Sequence, residues 1–381
     1  MVLLLIILFG GACVLSLCGT WIALRLGRRF GTLDTAPIPS QVKEAARPIP
    51  NTGGIGIALA LWLPMLIGLI GVMVLDAGSF TGVLEPVQSV WGDLQDRVGL
   101  GWALLLCIVG LHVLGLVDDR RPMGAWVKLI IMVVPAVIFA MFFDTRLLTM
   151  LDGYVGGAWL SIVLTVVWIV AITNAMNFID NMDGLSAGIG AIAGGLFLIA
   201  AILNAQWFIG VILALLVGGC VGFLVFNFPP AKIFMGDGGS LVIGFVLAIT
   251  TVRTTYIPVD GSGPMAGGWY AVLMPVAVLA VPLYDFVTVT VIRISQGKSP
   301  FVGDLQHFSH RLRDRGLGNR GTILVIYALT ACSGIAGILL TRASAWEAAM
   351  LGGQVLMVLG ALALFEYRSP PKRDGGEGRD D

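Results

Sequence analysis

Charge is scarce in this sequence. Asp, Glu, Lys and Arg make up 12% of 381 residues against 57% hydrophobic ones, and the mean hydropathy is +0.93. A water-soluble domain needs less apolar surface and could not cover this much with so few charges, which excludes that class. The 23 basic and 23 acidic residues cancel, so nothing points to a nucleic-acid partner. The five cysteines lie inside apolar runs without a CxxC pair. That leaves neither a disulfide framework nor a thiolate zinc site, and they read as small hydrophobes packed between helices. Histidine is scarcer still, with three. Period-2 alternation is missing, and with it the signature of a membrane β-barrel.

What the sequence has is long apolar runs, each near the roughly 20 residues that cross a bilayer as a helix. Backbone in hydrocarbon must satisfy its own hydrogen bonds, so the chain reads as an all-α polytopic membrane protein. Eleven spans are expected, near 2–24, 53–75, 99–117, 126–143, 157–175, 185–203, 207–227, 239–254, 269–292, 321–341 and 347–366. The first lacks a basic flank and is too long for the core of a signal peptide, so it reads as a retained anchor. Residues 1–368 form one transmembrane domain, and the polar tail 369–381, "SPPKRDGGEGRDD" with Ser369 at its head, is expected to be disordered. Nineteen Lys and Arg fall on one side of this topology, and only Arg97, Arg146, Arg253 and Arg342 on the other. The positive-inside rule makes the first side cytoplasmic, with the N-terminus outside and the C-terminus inside.

The acids that abut span ends gather on that basic side. "NFIDNMDGL" puts Asp180, Asn181 and Asp183 where the fifth span stops. "LVDDRRPMGAWVKL" puts Asp118 and Asp119 directly after the third. Vicinal carboxylates raise each other's proton affinity unless a cation compensates, and Arg120 with Arg121, or a divalent metal, would do so. In "IFMGDGGSL", Asp237 sits among Gly236, Gly238 and Gly239 where a loop enters a helix. Glycines permit close backbone approach, helix N-termini attract phosphate, and a carboxylate among them suggests Mg²⁺ bridging to phosphate oxygens. Acids at membrane depth are costly and usually functional; the plainer reading, interfacial side chains that set span depth, accounts poorly for adjacent clusters on one side. The last basic loop carries His307 and His310, three apart, followed by Arg311. Two histidines are thin for zinc, and the arginines suit a pyrophosphate cradle or anionic lipid headgroups. The third histidine, His112, reads as a buried structural residue on the helix leading to Asp119.

Taken in order, "RPIPNTGGI", "GLVDD" with Lys128 downstream, "NAMNFIDNMDGLSAG", "FNFPPAKIFMGDGGSL" and "PLYDF" through "GKSPFVGDLQHFSHRL" resemble the polyprenyl-phosphate N-acetylhexosaminyl-1-phosphate transferases, the MraY/WecA/TagO family. The likeness runs from about Asp34 to Leu317 and implies a cytoplasmic active-site cleft. By that resemblance Asn174, Asn177, Asp180 and Asp183 hold the nucleotide-sugar and shape a metal site, Asp237 with Asn177 binds the metal, and Phe234 stacks on uracil. Asp118 and Asp119 handle the lipid phosphate, while Lys43, His307, His310 and Arg311 bind phosphate. Asp285 belongs to the motif without an assigned role. The implied cofactor is Mg²⁺, with Mn²⁺ as an alternative. The implied partners are a UDP-N-acetylhexosamine, polyprenyl phosphate, the lipid bilayer of a bacterial plasma membrane and, at the level of assembly, a second copy in a homodimer. The last loop is closer to the WecA/TagO branch, which favours UDP-GlcNAc over the UDP-MurNAc-pentapeptide of peptidoglycan synthesis. Pro275 and Pro282 are expected to kink the ninth span and open an apolar groove for the lipid tail. Three positions depart from the family pattern: Ser309 where histidine is common, Asn181 where glycine is usual, and Ala45 where histidine is frequent.

Two readings of other classes compete. An ion-coupled transporter would place its acids near the midplane in related repeats, and no repeat is visible. A structural scaffold leaves the aspartate pair and Asp237 without a purpose.

Overall fold

The computed structural model describes residues 1–31, 49–254, 269–298 and 307–367. Lys43, Ala45 and the tail from 369 lie outside the described residues. No β-strand occurs among the described residues. Nine of their helices are long and apolar enough to cross a membrane, and a bent helix pair makes a tenth span.

The helices named here are α1 (Val2–Phe30), α2 (Gly54–Val74), α3 (Val98–Asp118), α4 (Ala125–Phe142), α5 (Trp159–Phe178), α6 (Leu185–Leu203) and α7 (Trp207–Asn227). They continue with α8 (Asp237–Arg253), α9 (Ala280–Ser295), α10 (Gly318–Leu340) and α11 (Ala345–Tyr367). Their starts follow the run boundaries of the sequence. α1 shows why its end is sharp: Gly31 adopts φ 65 with its N–H on Gly27 O, after Arg28 and Arg29 in the last turn. A left-handed glycine and cations at the negative helix end are what terminate helices.

The exception to simple spanning is α8. At 17 residues it is one short of the shortest of the nine, α4, and every residue from Gly238 to Thr251 is buried. It packs against α2, α3, α5, α6 and α7, so it forms the axis of the bundle. α1 covers α7 and α2 from outside, while α10 lies against α6 and the short helix Met274–Val278. Large apolar side chains such as Ile6, Ile130 and Leu356 remain exposed along α1, α4 and α11, as a surface turned to acyl chains requires.

The ninth span is bent as expected. The segment Tyr270–Val278 and α9 meet at 72° around Leu279. Leu279 N still donates to Pro275 O at 3.0 Å. Pro282 has no N–H to offer the Val278 carbonyl, so the ladder fails at that step.

Candidate active site

The site is built around the first turn of α8. Gly236 precedes it at φ 71, a conformation that disfavours any side chain, and an added Cβ would lie 2.4 Å from Asp119 Oδ2. Asp237 opens the helix, where the positive end of the macrodipole favours an anion. Two residues of α3 and its end hold this turn in place. His112 Nδ1 donates to Gly238 O at 2.8 Å, which fixes the structural role expected for it. Asp237 N donates to Asp119 Oδ1 at 3.1 Å, and Asn51 Nδ2 donates to the same oxygen at 3.1 Å.

Lys128, in the first turn of α4, ties the cluster together. Its Nζ donates to Asp118 Oδ2 at 3.2 Å, to Asn177 Oδ1 at 3.3 Å and, in a very short contact, to Asp237 Oδ2. Asn177 at the end of α5 donates through Nδ2 to Asp237 Oδ1 at 2.8 Å and to Ser240 Oγ at 2.9 Å. Asp118 Oδ1 accepts Met123 N at 2.7 Å. The sequence places Lys128 in a motif without a role, and offers either Arg120 with Arg121 or a divalent metal as the compensating charge. The first alternative is corrected: both arginines are exposed and form no ion pair among the described residues. They follow the end of α3 and face outward, whereas Lys128 starts the next helix and its stem reaches back under Asp118.

One lysine does not neutralise this site. Burial, followed by the charges of Asp237, Asp119 and Asp183, holds Asp180 well above the usual carboxylate range. Burial and then the Asp237 charge push Asp119 up to about 7, against hydrogen bonds from Asp237 and Gly238 that pull it down. Asp119 Oδ2 is buried with no hydrogen-bond partner among the described residues. An uncommitted carboxylate oxygen and carboxyls that resist ionising mark a place short of positive charge. No closed cage of three or more His, Cys, Asp or Glu side chains exists among the described residues. That donor set fits an ion held by one or two carboxylates together with water and substrate oxygens, as Mg²⁺ or Mn²⁺ commonly is.

The neighbouring loops converge on the same turn. Asp183 Oδ2 accepts Ala231 N at 3.0 Å, so its backbone partner lies in the segment leading to α8. Asn227 reinforces that link, accepting Gly184 N at 2.8 Å and donating to Ile233 O at 2.9 Å. Phe234 belongs to the same segment: its N donates to Pro50 O and its O accepts Gly53 N, both at 2.9 Å, which pins the start of α2 beside α8. Asn174 lies one turn before Asn177 on α5. Its Nδ2 donates to Val170 O at 2.8 Å, back along its own helix, one turn short of the Asn177 network. The last basic segment is held from α9. Asp285, fully buried, accepts His307 Nδ1 at 2.7 Å and Phe308 N at 3.2 Å, which supplies the role the sequence left blank. His310 stacks edge-on to His307 with ring centres 6.4 Å apart, and Arg311 follows on the same short helix, Phe308–Leu312.

A model described as glycosyl transferase family 4 matches residues 101–255, which run from α3 to the end of α8. A probable undecaprenyl-phosphate N-acetylglucosaminyl 1-phosphate transferase of Bacillus subtilis is 31% identical over 334 residues, covering 86% of this chain and 82% of its own. A decaprenyl-phosphate N-acetylglucosaminephosphotransferase of Mycobacterium tuberculosis is 31% identical over 340 residues, 83% of this chain and 77% of its own. A phospho-N-acetylmuramoyl-pentapeptide-transferase of Lacticaseibacillus paracasei is 35% identical over 181 residues, 44% of this chain and 56% of its own. With its acids, its asparagine and its lysine gathered at one end of a central helix, the chain belongs to glycosyl transferase family 4, the polyprenyl-phosphate N-acetylhexosamine-1-phosphate transferases.

Proposed function

We propose that the protein transfers N-acetylglucosamine-1-phosphate from UDP-GlcNAc to undecaprenyl phosphate at the cytoplasmic face of a bacterial plasma membrane, the first membrane step of an envelope polysaccharide. The observation that carries this reading is the Lys128-centred join of Asp118, Asn177 and Asp237 at the N-terminus of α8. The two GlcNAc-1-phosphate relatives span 83–86% of the chain, against 44% for the muramoyl-pentapeptide relative, and this supports GlcNAc as the sugar.

In this reaction an oxygen of the lipid phosphate forms a bond to the β-phosphorus of the donor. The bond from that phosphorus to the bridging oxygen breaks, and UMP leaves with the oxygen. The nucleophile is already anionic, so catalysis consists of bringing two anions together and neutralising them. Asp118 orients the lipid phosphate and takes its remaining proton, and Asp119 braces the α8 turn beside it. Asn177, Asp237 and the uncommitted Asp119 Oδ2 are the donors that would hold Mg²⁺, and a bound ion would supply positive charge against the diphosphate and the departing UMP. Lys128 supplies fixed positive charge at the same point, and His310 with Arg311 offers further donors to phosphate.

The test uses purified protein, Mg²⁺ and undecaprenyl phosphate, with UMP release followed from UDP-GlcNAc, UDP-GalNAc and UDP-MurNAc-pentapeptide in parallel. UMP from UDP-GlcNAc alone is the expected result. Release from the pentapeptide donor instead would move the protein to the peptidoglycan branch, and release from none would reopen the transporter reading. The bend at Leu279 gives a second expected outcome. Replacing Pro275 and Pro282 by alanine restores two backbone donors and straightens the span, so the KM for undecaprenyl phosphate should rise several-fold while that for UDP-GlcNAc holds. Unaltered lipid KM would detach the bend from lipid binding.

A further inference from the structure

Two of the positions that depart from the resembled family, Asn181 and Ser309, touch each other across 128 residues of chain. Ser309 is fully buried, and its Oγ donates to Asn181 Oδ1 at 2.6 Å. Asn181 Nδ2 donates to Phe178 O at 2.9 Å, which leaves the amide oxygen facing the serine. Asn181 lies between Asp180 and Asp183 in the acidic loop, and Ser309 lies between His307 and His310 in the cationic segment. The bond therefore joins the two oppositely charged halves of the site directly.

The joint matters because the segment cannot hold itself. Phe308–Leu312 is a five-residue helix, too short to persist without outside contacts. Asp285 fixes its first residue from α9, and the Ser309 hydroxyl fixes its exposed-loop side from the acidic loop. Phe308 and Leu312 are buried in the core, Phe308 edge-on to Tyr284 of α9, so the segment is anchored on that side. The Asn181–Ser309 bond ties this anchored segment to the acidic loop, and so bears on the separation of His310 and Arg311 from Asp180, Asp183 and Asp237. The two replacements also depend on each other: without the Asn181 side chain the Ser309 hydroxyl would be buried with that bond unmade.

We propose that Asn181 and Ser309 are a positioning pair that fixes the spacing between the carboxylate cluster and the His310–Arg311 helix, and thereby the way the donor diphosphate is held. The proposal rests on the transferase reading above. A diphosphate that must reach cationic donors on one side and the acid-held cation on the other tolerates little change in that spacing, and rates fall steeply with misplacement.

The experiment compares wild type, Ser309→Ala, Asn181→Ala, the double variant and Ser309→Thr, measuring kcat, both KM values and thermal unfolding of the full-length protein. Each single alanine variant should lose about tenfold in kcat/KM for UDP-GlcNAc, the effect of one lost buried hydrogen bond. The KM for undecaprenyl phosphate should not move. The double variant should be no worse than the poorer single one, as expected for partners in one contact, and Ser309→Thr, which keeps the hydroxyl, should retain most activity. Equal losses for both substrates that track a lowered unfolding temperature would make the contact merely structural and overturn the proposal. So would additive single effects or wild-type kinetics. Wild type that releases no UMP from any donor would be a different failure, of the transferase reading itself, and the pair's role would fall with it.

Discussion

Asp237→Asn is expected to lower kcat for UMP release by about a thousandfold, the scale of removing a preorganised charge from a transition-state site. The substitution is nearly isosteric, so the loss would be electrostatic. The new amide could still accept from Asn177 Nδ2, but its NH₂ would face Lys128 Nζ, donor against donor. The carboxylate proposed to hold the metal would lose its charge at the helix end that most favours one. Stability should change little, because two effects oppose. The ion pair with Lys128 is lost, yet Asp119 and Asp180 are both pushed up by the Asp237 charge and would be relieved of it. Both carboxyls should therefore titrate lower in the variant than in wild type. UMP release, its dependence on Mg²⁺ concentration and a thermal unfolding curve together check this. Near wild-type turnover would remove Asp237 from the chemistry, and a collapse of unfolding temperature would make it structural.

The sequence told most about positions where a single residue type suffices to argue. Uninterrupted apolar runs gave the helices, because hydrocarbon leaves the backbone no other choice, and of the two prolines expected to kink the ninth span Pro282 stands where the ladder fails. Asp118, Asp119, Asp180, Asp183 and Asp237 were legible as costly acids at span ends; the structure joins Asp118 to Asp237 through Lys128 and Asp119 to the Asp237 backbone, while Asp183 bonds the segment leading to α8. What stayed hidden were relations between distant residues. Arg120 and Arg121 were nearer to the aspartate pair in sequence than Lys128, but the cation that matters is the one whose helix start lies beneath them. A lysine inside an apolar span was the available signal. Asn174 matched its motif and yet spends its amide on its own helix. Asp285, Asn227 and Ser309 act through partners 22, 43 and 128 positions away, and no local pattern encodes such pairs.

Gly115→Ala should damage the same site without touching any of its polar groups. A methyl at Gly115 would stand 2.3 Å from Gly238 N, 2.4 Å from Asp237 C and 2.5 Å from Gly238 Cα. All three are backbone atoms, so no rotamer change relieves the clash, and α3 must draw away from α8 by roughly 1 Å. The His112 bond to Gly238 O and the Asp119 bond from Asp237 N cross that interface and would both stretch. Overpacking of this kind costs about 1–3 kcal/mol, and a displacement of about 1 Å at reacting groups can cost about a hundredfold in rate. The expected result is a lowered unfolding temperature together with about a hundredfold loss of UMP release. Gly110→Ala supplies the comparison, since it lies on the same helix with nothing within 4 Å of its added methyl and should behave as wild type or slightly more stably. If Gly115→Ala behaved like Gly110→Ala, the two helices could part without disturbing Asp118, Asp119 and Asp237. The close crossing of α3 over α8 would then be a packing detail, and the site would owe its geometry to Lys128 and Asn177 alone.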